Sequence, residues 1–247
     1  MRLLSALAFG RATPKMPVMA GSLISRSASK DIDAFLSEAE GTLARAGRGR
    51  LIFALDATLS RQRTWDLAQG LQGKMFEAAS GVGGLDVQLV YFRGNGECRA
   101  SRFISEGRGL ADLMSKIDVR GGATQWTKVF RHARDEASAA RIGALVIVGD
   151  AMEENADALC ALAGELALLG VKVFAFHEGD DPGARAAFRE MARITGGAYG
   201  AFDAGAAARL AALLRAAAAY AAGGRAALEA LAVREPEARP LLAQMRS

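Results

Sequence analysis

Short apolar runs alternate with longer stretches of helical periodicity along most of the chain. The run 51–55 is apolar at every position and ends at Asp56, which is typical of a strand buried on both faces of a parallel sheet. The same reasoning predicts further strands at 86–93, 98–104, 144–148, 171–176 and 198–202. Helices are predicted at 61–79, 107–117, 124–140, 154–169, 182–195 and 205–222.

One pair of strands is expected to be antiparallel. Asn95-Gly96 is a strong turn signal between the second and third predicted strands, so 98–104 should return beside 86–93 as a hairpin. All other strands are separated by helices, which indicates parallel connections. The sequence therefore predicts an α/β fold: a doubly wound, mostly parallel central sheet with one antiparallel edge strand and helices on both faces.

Four segments follow from this pattern. The sequence predicts a flexible basic tail at 1–29, a packing helix at 30–46, the α/β domain at 47–222 and a helical extension at 223–247. Residues 1–30 contain five Lys or Arg and no acid, a composition that also occurs in organelle transit peptides. We favour the tail, because the Ala-, Arg- and Gly-rich usage indicates a bacterial protein, with the cytoplasm as the expected compartment.

Composition excludes several classes of function. Of the 247 residues, 51% are apolar and 23% are charged, with a net charge of +4; that is the mix of an ordinary globular domain. No Lys/Arg block is interleaved with aromatic residues, so nucleic acid is not an expected partner. No apolar run reaches the roughly 20 residues of a membrane span. The isolated Cys98 and Cys160 suggest neither a disulfide framework nor a zinc site.

Hydroxyl and carboxylate side chains collect where the predicted strands end. Asp56 closes the first strand, Thr58 and Ser60 follow on the next loop, Thr124 comes after Gly121-Gly122, and Asp150 closes the fourth strand. Ligands of doubly wound sheets bind outside the carboxyl ends of the strands, near the point where strand order reverses. We therefore expect these loops to meet at one rim of the sheet.

Such a set of side chains favours a hard cation. Oxygen ligands suit Mg²⁺, Mn²⁺ or Ca²⁺, and the set contains no thiolate or imidazole to select zinc. Hydroxyl groups are neutral ligands, so an ion held mostly by them stays electrophilic and keeps a position for an outside carboxylate. That chemistry describes a docking point for a protein partner that presents an acidic group.

At these residues the chain resembles the von Willebrand factor A family and its metal-ion-dependent adhesion site. The first element reads Asp56-Ala57-Thr58-Leu59-Ser60, with Thr in place of the family's first Ser; the second is Gly121-Gly122-Ala123-Thr124 and the third Val148-Gly149-Asp150. The resemblance covers about residues 50 to 220. It implies that Thr58, Ser60 and Thr124 are direct ligands of the metal, or nearly so. Asp56 and Asp150 would then act mainly through water molecules. It also implies an interaction module, in some bacterial members working with AAA+ ATPases or in multi-protein assemblies.

Other interpretations of the same residues stay open. One alternative is that Ser60 and Thr124 simply cap helix N-termini, as Ser and Thr commonly do. Asp56 also resembles the nucleophile of haloacid-dehalogenase-like, Mg²⁺-dependent phosphohydrolases, whose motif opens with Asp-x-Asp, but Thr58 replaces the second acid of that motif. A nucleotide-binding domain is disfavoured, because no glycine follows the first strand.

Five further side chains fall near the predicted rim. Glu153 and Glu154 follow Asp150, and we expect such acids to complement a helix N-terminus. Trp126 either contacts a partner, with Arg61, or packs under the loop. His177 ends a strand near the same rim but has no nucleophile beside it in sequence.

Overall fold

The computed structural model describes residues 48–58, 62–80, 83–203 and 206–245. The chain divides into two units, Met1–Arg45 and Ala46–Ser247, and the description concerns the second. The predicted tail at 1–29 and packing helix at 30–46 therefore lie outside the described residues, as do Ser60 and Arg61.

Six strands and seven α-helices form the described part of the chain. The strands are β1 Gly49–Asp56, β2 Leu85–Arg93, β3 Glu97–Ile104, β4 Ala144–Gly149, β5 Lys172–Glu178 and β6 Ala198–Phe202. The helices are α1 Gln62–Ser80, α2 Gly107–Met114, α3 Trp126–Ala139, α4 Ala156–Leu168, α5 Pro182–Thr195, α6 Ala207–Arg234 and α7 Arg239–Gln244, with a 3-10 turn at Pro236–Ala238. None of the described helices is long and apolar enough to cross a membrane.

The strands form one sheet in the order β3-β2-β1-β4-β5-β6. All neighbours are parallel except β2 and β3, which pair antiparallel as the predicted hairpin. From β1 the chain first builds outward on one side through β2, and then returns to place β4 on the other side. The strand order therefore reverses between β1 and β4, which confirms the doubly wound fold class and fixes where a ligand site is expected.

Each face of the sheet carries its own apolar core, and β1 contributes to both. Leu51, Phe53 and Leu55 face the core that includes α1, α2 and α6, whereas Ile52 and Ala54 face the core of α3, α4 and α5. Side chains of a strand alternate between its two faces. This double burial explains why the predicted strand is apolar at every position.

The C-terminal part of the chain packs onto the first of these cores. Helix α6 bends at Gly223 and Gly224, where Gly224 has φ of 65°, a conformation that favours glycine. Beyond the bend, Leu228 of α6 and Leu241 of α7 are fully buried. The predicted helical extension at 223–247 thus covers apolar surface of the domain with one bent helix and one short one.

Candidate metal-ion site

The rim at the carboxyl ends of β1 and β4 is built where the strand order reverses. Leu55 of β1 lies opposite Val148 of β4, so the two chains leave the sheet side by side. Asp56 is the last residue of β1, and Asp150 follows the last residue of β4. Two carboxylates from sequence positions almost a hundred residues apart therefore belong to adjacent loops.

The loop after β1 is tied down at both of its first residues. The Asp56 carboxylate accepts a hydrogen bond from the Thr58 backbone N–H at 2.8 Å, an Asx turn that folds the loop back on the strand end. The Ala57 N–H donates to the Phe92 carbonyl at 2.9 Å, and the Ala57 carbonyl accepts from Arg120 N–H at 3.0 Å. Asp56 is 3% and Thr58 7% exposed, so both polar side chains lie almost beneath the surface.

The loop before α3 lies against this strand end. Besides the bond between Arg120 and Ala57, Gly122 packs so closely on the hairpin turn that a Cβ there would lie 2.2 Å from the Gly94 carbonyl oxygen. The glycine that precedes Thr124 is therefore needed for the loop to pass the hairpin. These contacts hold the loop of Thr124 at the same rim, where Thr124 is 7% exposed.

Thr124 is linked in turn to the loop that carries Asp150. Its N–H donates to the Glu153 carboxylate at 2.9 Å, and its hydroxyl oxygen accepts from the Glu153 N–H at 3.2 Å. This reciprocal pair joins the second and third loops directly. The Thr124 oxygen accepts only this one hydrogen bond among those with described residues, which leaves a lone pair for another contact.

Glu154 complements the N-terminus of α3, as predicted for one of these acids. Its carboxylate accepts hydrogen bonds from the backbone N–H groups of Trp126 and Thr127, the second at 3.0 Å. A carboxylate there satisfies donors that the first helical turn leaves unpaired and interacts favourably with the helix dipole. Glu153 and Glu154 therefore fix the position of α3 and of Thr124.

The interpretation of Trp126 as a partner contact is wrong. Its side chain is fully buried, packs edge-on against Phe92 and Phe188, and donates its indole N–H to the Ala151 carbonyl at 3.2 Å. A Cβ at Gly149 would lie 2.5 Å from the indole ring. Trp126 thus packs under the loop and supports the backbone on both sides of Asp150.

The side chains brought together here are carboxylates and hydroxyls. The structure places Asp56, Thr58, Thr124 and Asp150 on three linked loops, and Ser60 lies outside the described residues. Over the described residues, no three or more His, Cys, Asp and Glu side chains form a group that could hold a metal. A zinc site of the nitrogen and sulfur type therefore has no basis in that part of the chain, whereas a set of two carboxylates and several hydroxyls fits a hard cation.

Two residues that the sequence did not single out lie at the same end of the sheet. Glu178 closes β5 and is 8% exposed, and Thr64 of α1 donates its hydroxyl to the Glu178 carboxylate. Because Thr64 follows the loop after β1, this bond ties the start of α1 to the strand beyond β4. The sequence could have pointed to Glu178, because a charged residue at the end of an apolar strand is a candidate site residue.

His177 is part of the packing beneath the rim. It is fully buried, its Nδ1 lies 3.2 Å from the Tyr199 hydroxyl, and its ring packs edge-on against Phe188. Burial lowers the pKa of His177, and a backbone hydrogen bond with Asp150 opposes that shift. This enclosed imidazole packs beneath the rim, between Phe188 and Tyr199, and does not face an incoming ligand.

No protein-family model matches the chain, and no curated protein matches it. Solved structures share its fold. An aerotolerance-related membrane protein from Bacteroides fragilis NCTC 9343, crystallised with multiple mutations to serines, is 17% identical with a TM-score of 0.50, over 69% of this chain and 98% of that one. The VWA domain of SpRpn10 is 12% identical with a TM-score of 0.52, over 64% and 90%.

A third structure is proximal thread matrix protein 1 from the mussel byssus, with a zinc-occupied metal-ion-dependent adhesion motif. It is 13% identical with a TM-score of 0.52, over 70% of this chain and 46% of that one. At these identities the similarity describes the shared arrangement of strands and helices.

Proposed function

The chain has the von Willebrand factor A fold, and on that premise we propose that it is a metal-dependent protein-interaction module. Asp56, Thr58, Ser60, Thr124 and Asp150 hold a divalent cation, Mg²⁺ in the first place and otherwise Mn²⁺ or Ca²⁺. A partner protein supplies a carboxylate to the cation. The chain itself is not an enzyme in this proposal.

One observation supports the proposal above all others. Three loops that are far apart in sequence are hydrogen-bonded into one rim at the reversal of strand order, through the contacts of Ala57 with Arg120 and of Thr124 with Glu153. Each loop brings at least one candidate oxygen ligand. Ordinary capping explains a single such residue, but it does not require all of them to converge.

The ligand set determines what the ion can recognise. Two carboxylates at most balance its charge, and if they act through water the direct ligands are neutral hydroxyls. Such a cation attracts an additional anionic ligand strongly. The acidic group of a partner is then the group that completes the coordination shell, and the partner is released when the metal is removed.

The proposal extends to a cellular role. The family resemblance favours an adaptor for an AAA+ ATPase or a subunit of a multi-protein assembly in a bacterial cytoplasm. The zinc-occupied motif of the mussel protein supports a divalent cation in this fold in general. The choice of Mg²⁺ rests on the oxygen-only ligand set.

The alternative is a Mg²⁺-dependent phosphohydrolase with Asp56 at the active site. The position two residues later holds Thr58, whose backbone N–H is bonded to the Asp56 carboxylate, so no acid stands there to protonate a leaving group. Turnover of a phosphate ester with Mg²⁺, lost in Asp56→Asn, would replace the interaction proposal.

Affinity capture with and without metal tests the proposal. Immobilised wild-type protein is expected to retain a partner in Mg²⁺ and release it in EDTA, and Asp150→Ala to retain none. Asp112→Ala removes an exposed acid of α2 and is the matched control, which should behave as wild type. Equal capture by wild type in Mg²⁺ and in EDTA would refute the proposal.

A further inference from the structure

A cleft lies at the opposite edge of the sheet from the hairpin. It has a volume of about 610 Å³ between α5, β6, α6 and α7, which is within the range of ligand pockets. Its walls include Arg189, Arg193, Tyr199, Ala201, Arg209 and Gln244. None of these residues belongs to the candidate metal site.

The backbone of β6 is open along this cleft. The Gln244 amide bonds both backbone groups of Tyr199, accepting from its N–H and donating to its carbonyl at 3.0 Å each. These groups therefore point away from β5, and those of Ala201, two residues on, point the same way. No group in the described ranges outside the sheet bonds the Ala201 backbone, and Ala201 is exposed. The edge thus offers one donor and one acceptor in strand geometry.

Arginines flank this open backbone on both faces of the sheet. Arg189 of α5 lies over the Tyr199 ring, with its guanidinium carbon 4.9 Å from the ring centre, and Arg209 of α6 lines the other side. Across the described segments, neither Arg189 nor Arg209 forms an ion pair. Arg193 is held by Glu190 at 2.5 Å.

At the other edge of the sheet, an acid of the chain itself neutralises a pair of arginines. On β3 and its hairpin, Arg93 and Arg99 both bond Glu97, and these bonds lower the pKa of Glu97 to about 2. There the acid is part of the chain. At the β6 edge, Glu190 pairs with Arg193, whereas the described residues supply no such acid to Arg189 or Arg209, which leaves these two arginines complementary in charge to an acidic ligand.

We propose that the β6 cleft binds an extended acidic peptide segment of a partner protein. The segment pairs with the Ala201 backbone as an added strand. Its side chains alternate between the two faces of the sheet, so neighbouring carboxylates meet Arg189 on one face and Arg209 on the other. Guanidinium groups match carboxylates with paired, charge-assisted hydrogen bonds. This site needs no metal and is separate from the proposed interaction through the cation.

Fluorescence anisotropy with a fluorescein-labelled pentaglutamate peptide tests the charge requirement. The measurement is made in EDTA at low salt, so that the metal site does not contribute. Arg189→Gln/Arg209→Gln is expected to weaken binding by about tenfold or more. Arg102→Gln/Arg131→Gln removes two exposed arginines elsewhere and the same total charge, and it should change binding less than about twofold. Equal losses in both double variants would overturn the proposal.

The strand pairing is tested on the probe, without altering the protein. Pentaglutamate of D-residues has the same charge but cannot pair in the same geometry, so it should bind at least several-fold more weakly than the L-peptide. Equal binding of the two peptides would show surface attraction only and would overturn the proposal. Asp150→Ala should bind the L-peptide like wild type. Loss of peptide binding at the β6 cleft can therefore be distinguished from loss of the metal site.

Discussion

The two ends of strands β1 and β4 carry opposite kinds of residue. At their amino ends, Gly49 and Gly143 pack on the backbone of α6, where a Cβ would lie 2.3 Å and 3.0 Å from the Ala221 carbonyl oxygen. At their carboxyl ends stand Asp56 and Asp150, with hydroxyls on the loops beside them. One end is closed by packing so tight that it excludes side chains. The other end gathers polar side chains, of which Asp56, Thr58 and Thr124 lie almost below the surface.

The amino ends of these two strands therefore serve the stability of the fold, whereas their carboxyl ends are available for binding. A tightly packed strand end leaves no space for a ligand, so its residues are explained by the fold alone. At the carboxyl ends, the polar residues lie on three loops that are hydrogen-bonded to one another, and these residues form the proposed cation site. Substitutions at the two ends should therefore have different consequences.

The largest effect on stability is expected at the packed end. Gly49→Val places a branched side chain against the α6 backbone, which cannot move away easily, and should lower the free energy of unfolding by about 3 kcal/mol. Chemical denaturation measures it. Gly164→Ala is the matched control, because nothing lies within 4 Å of a Cβ there and alanine favours the helix α4 by up to about 1 kcal/mol. Similar stability of Gly49→Val and wild type would contradict the packing argument.

The second-largest effect on stability is expected at the carboxyl ends of β1 and β4, where the proposed metal site lies. A ligand that binds only the folded state stabilises it, so Mg²⁺ at about ten times its dissociation constant should add about 1.4 kcal/mol. That gain raises the melting temperature by about 3 to 6 °C for a domain of this size. Thermal denaturation of wild type and of Asp150→Ala with and without Mg²⁺ measures it. The proposed site would be in doubt if both proteins gained equally.

A smaller effect should follow from removing the acid at the start of α3. Glu154→Ala leaves the Trp126 and Thr127 N–H groups without their acceptor, which should cost about 1 kcal/mol. Glu154→Gln keeps the acceptor oxygen and should lose less. Urea unfolding compares the two variants, and equal stability of both with wild type would refute this capping role.

The smallest effect concerns pH. Burial lowers the pKa of His177 below its ordinary value of 6.5, so the unfolded chain takes up this proton at higher pH than the folded one. The stability that the neutral imidazole contributes is therefore fully present above pH 6.5 and is lost as the pH falls toward the lower, folded-state pKa. His177→Gln should flatten this decline, measured by urea unfolding at several pH values. His132→Gln keeps His177 and is the control; an unchanged slope in His177→Gln would contradict the assignment.

Local patterns were sufficient to predict the architecture. The apolar runs of β1 and β4 and the turn at Asn95-Gly96 act through neighbours in sequence, and the structure confirms these elements. The placement of Asp56 and Asp150 at one rim followed from the general rule for doubly wound sheets. The roles of these residues as metal ligands stay predictions.

Contacts between distant elements were not predictable in the same way. The bond from Thr64 to Glu178 and the pairing of Gln244 with Tyr199 join residues 114 and 45 positions apart. Neither pair has a local signature, because a glutamine in a short C-terminal helix resembles any surface residue. Likewise, a single sequence does not show that Trp126 turns inward. These features depend on which helices meet which strands.

Calorimetric titration of Mg²⁺ tests the metal site most directly. Wild-type protein should bind one Mg²⁺, and Asp56→Ala should bind it about a hundredfold more weakly or not at all, with an unchanged circular dichroism spectrum. Asp112→Ala, which removes an acid away from the rim, should bind like wild type. No binding by the folded wild-type protein, or equal binding by Asp56→Ala, would contradict the account.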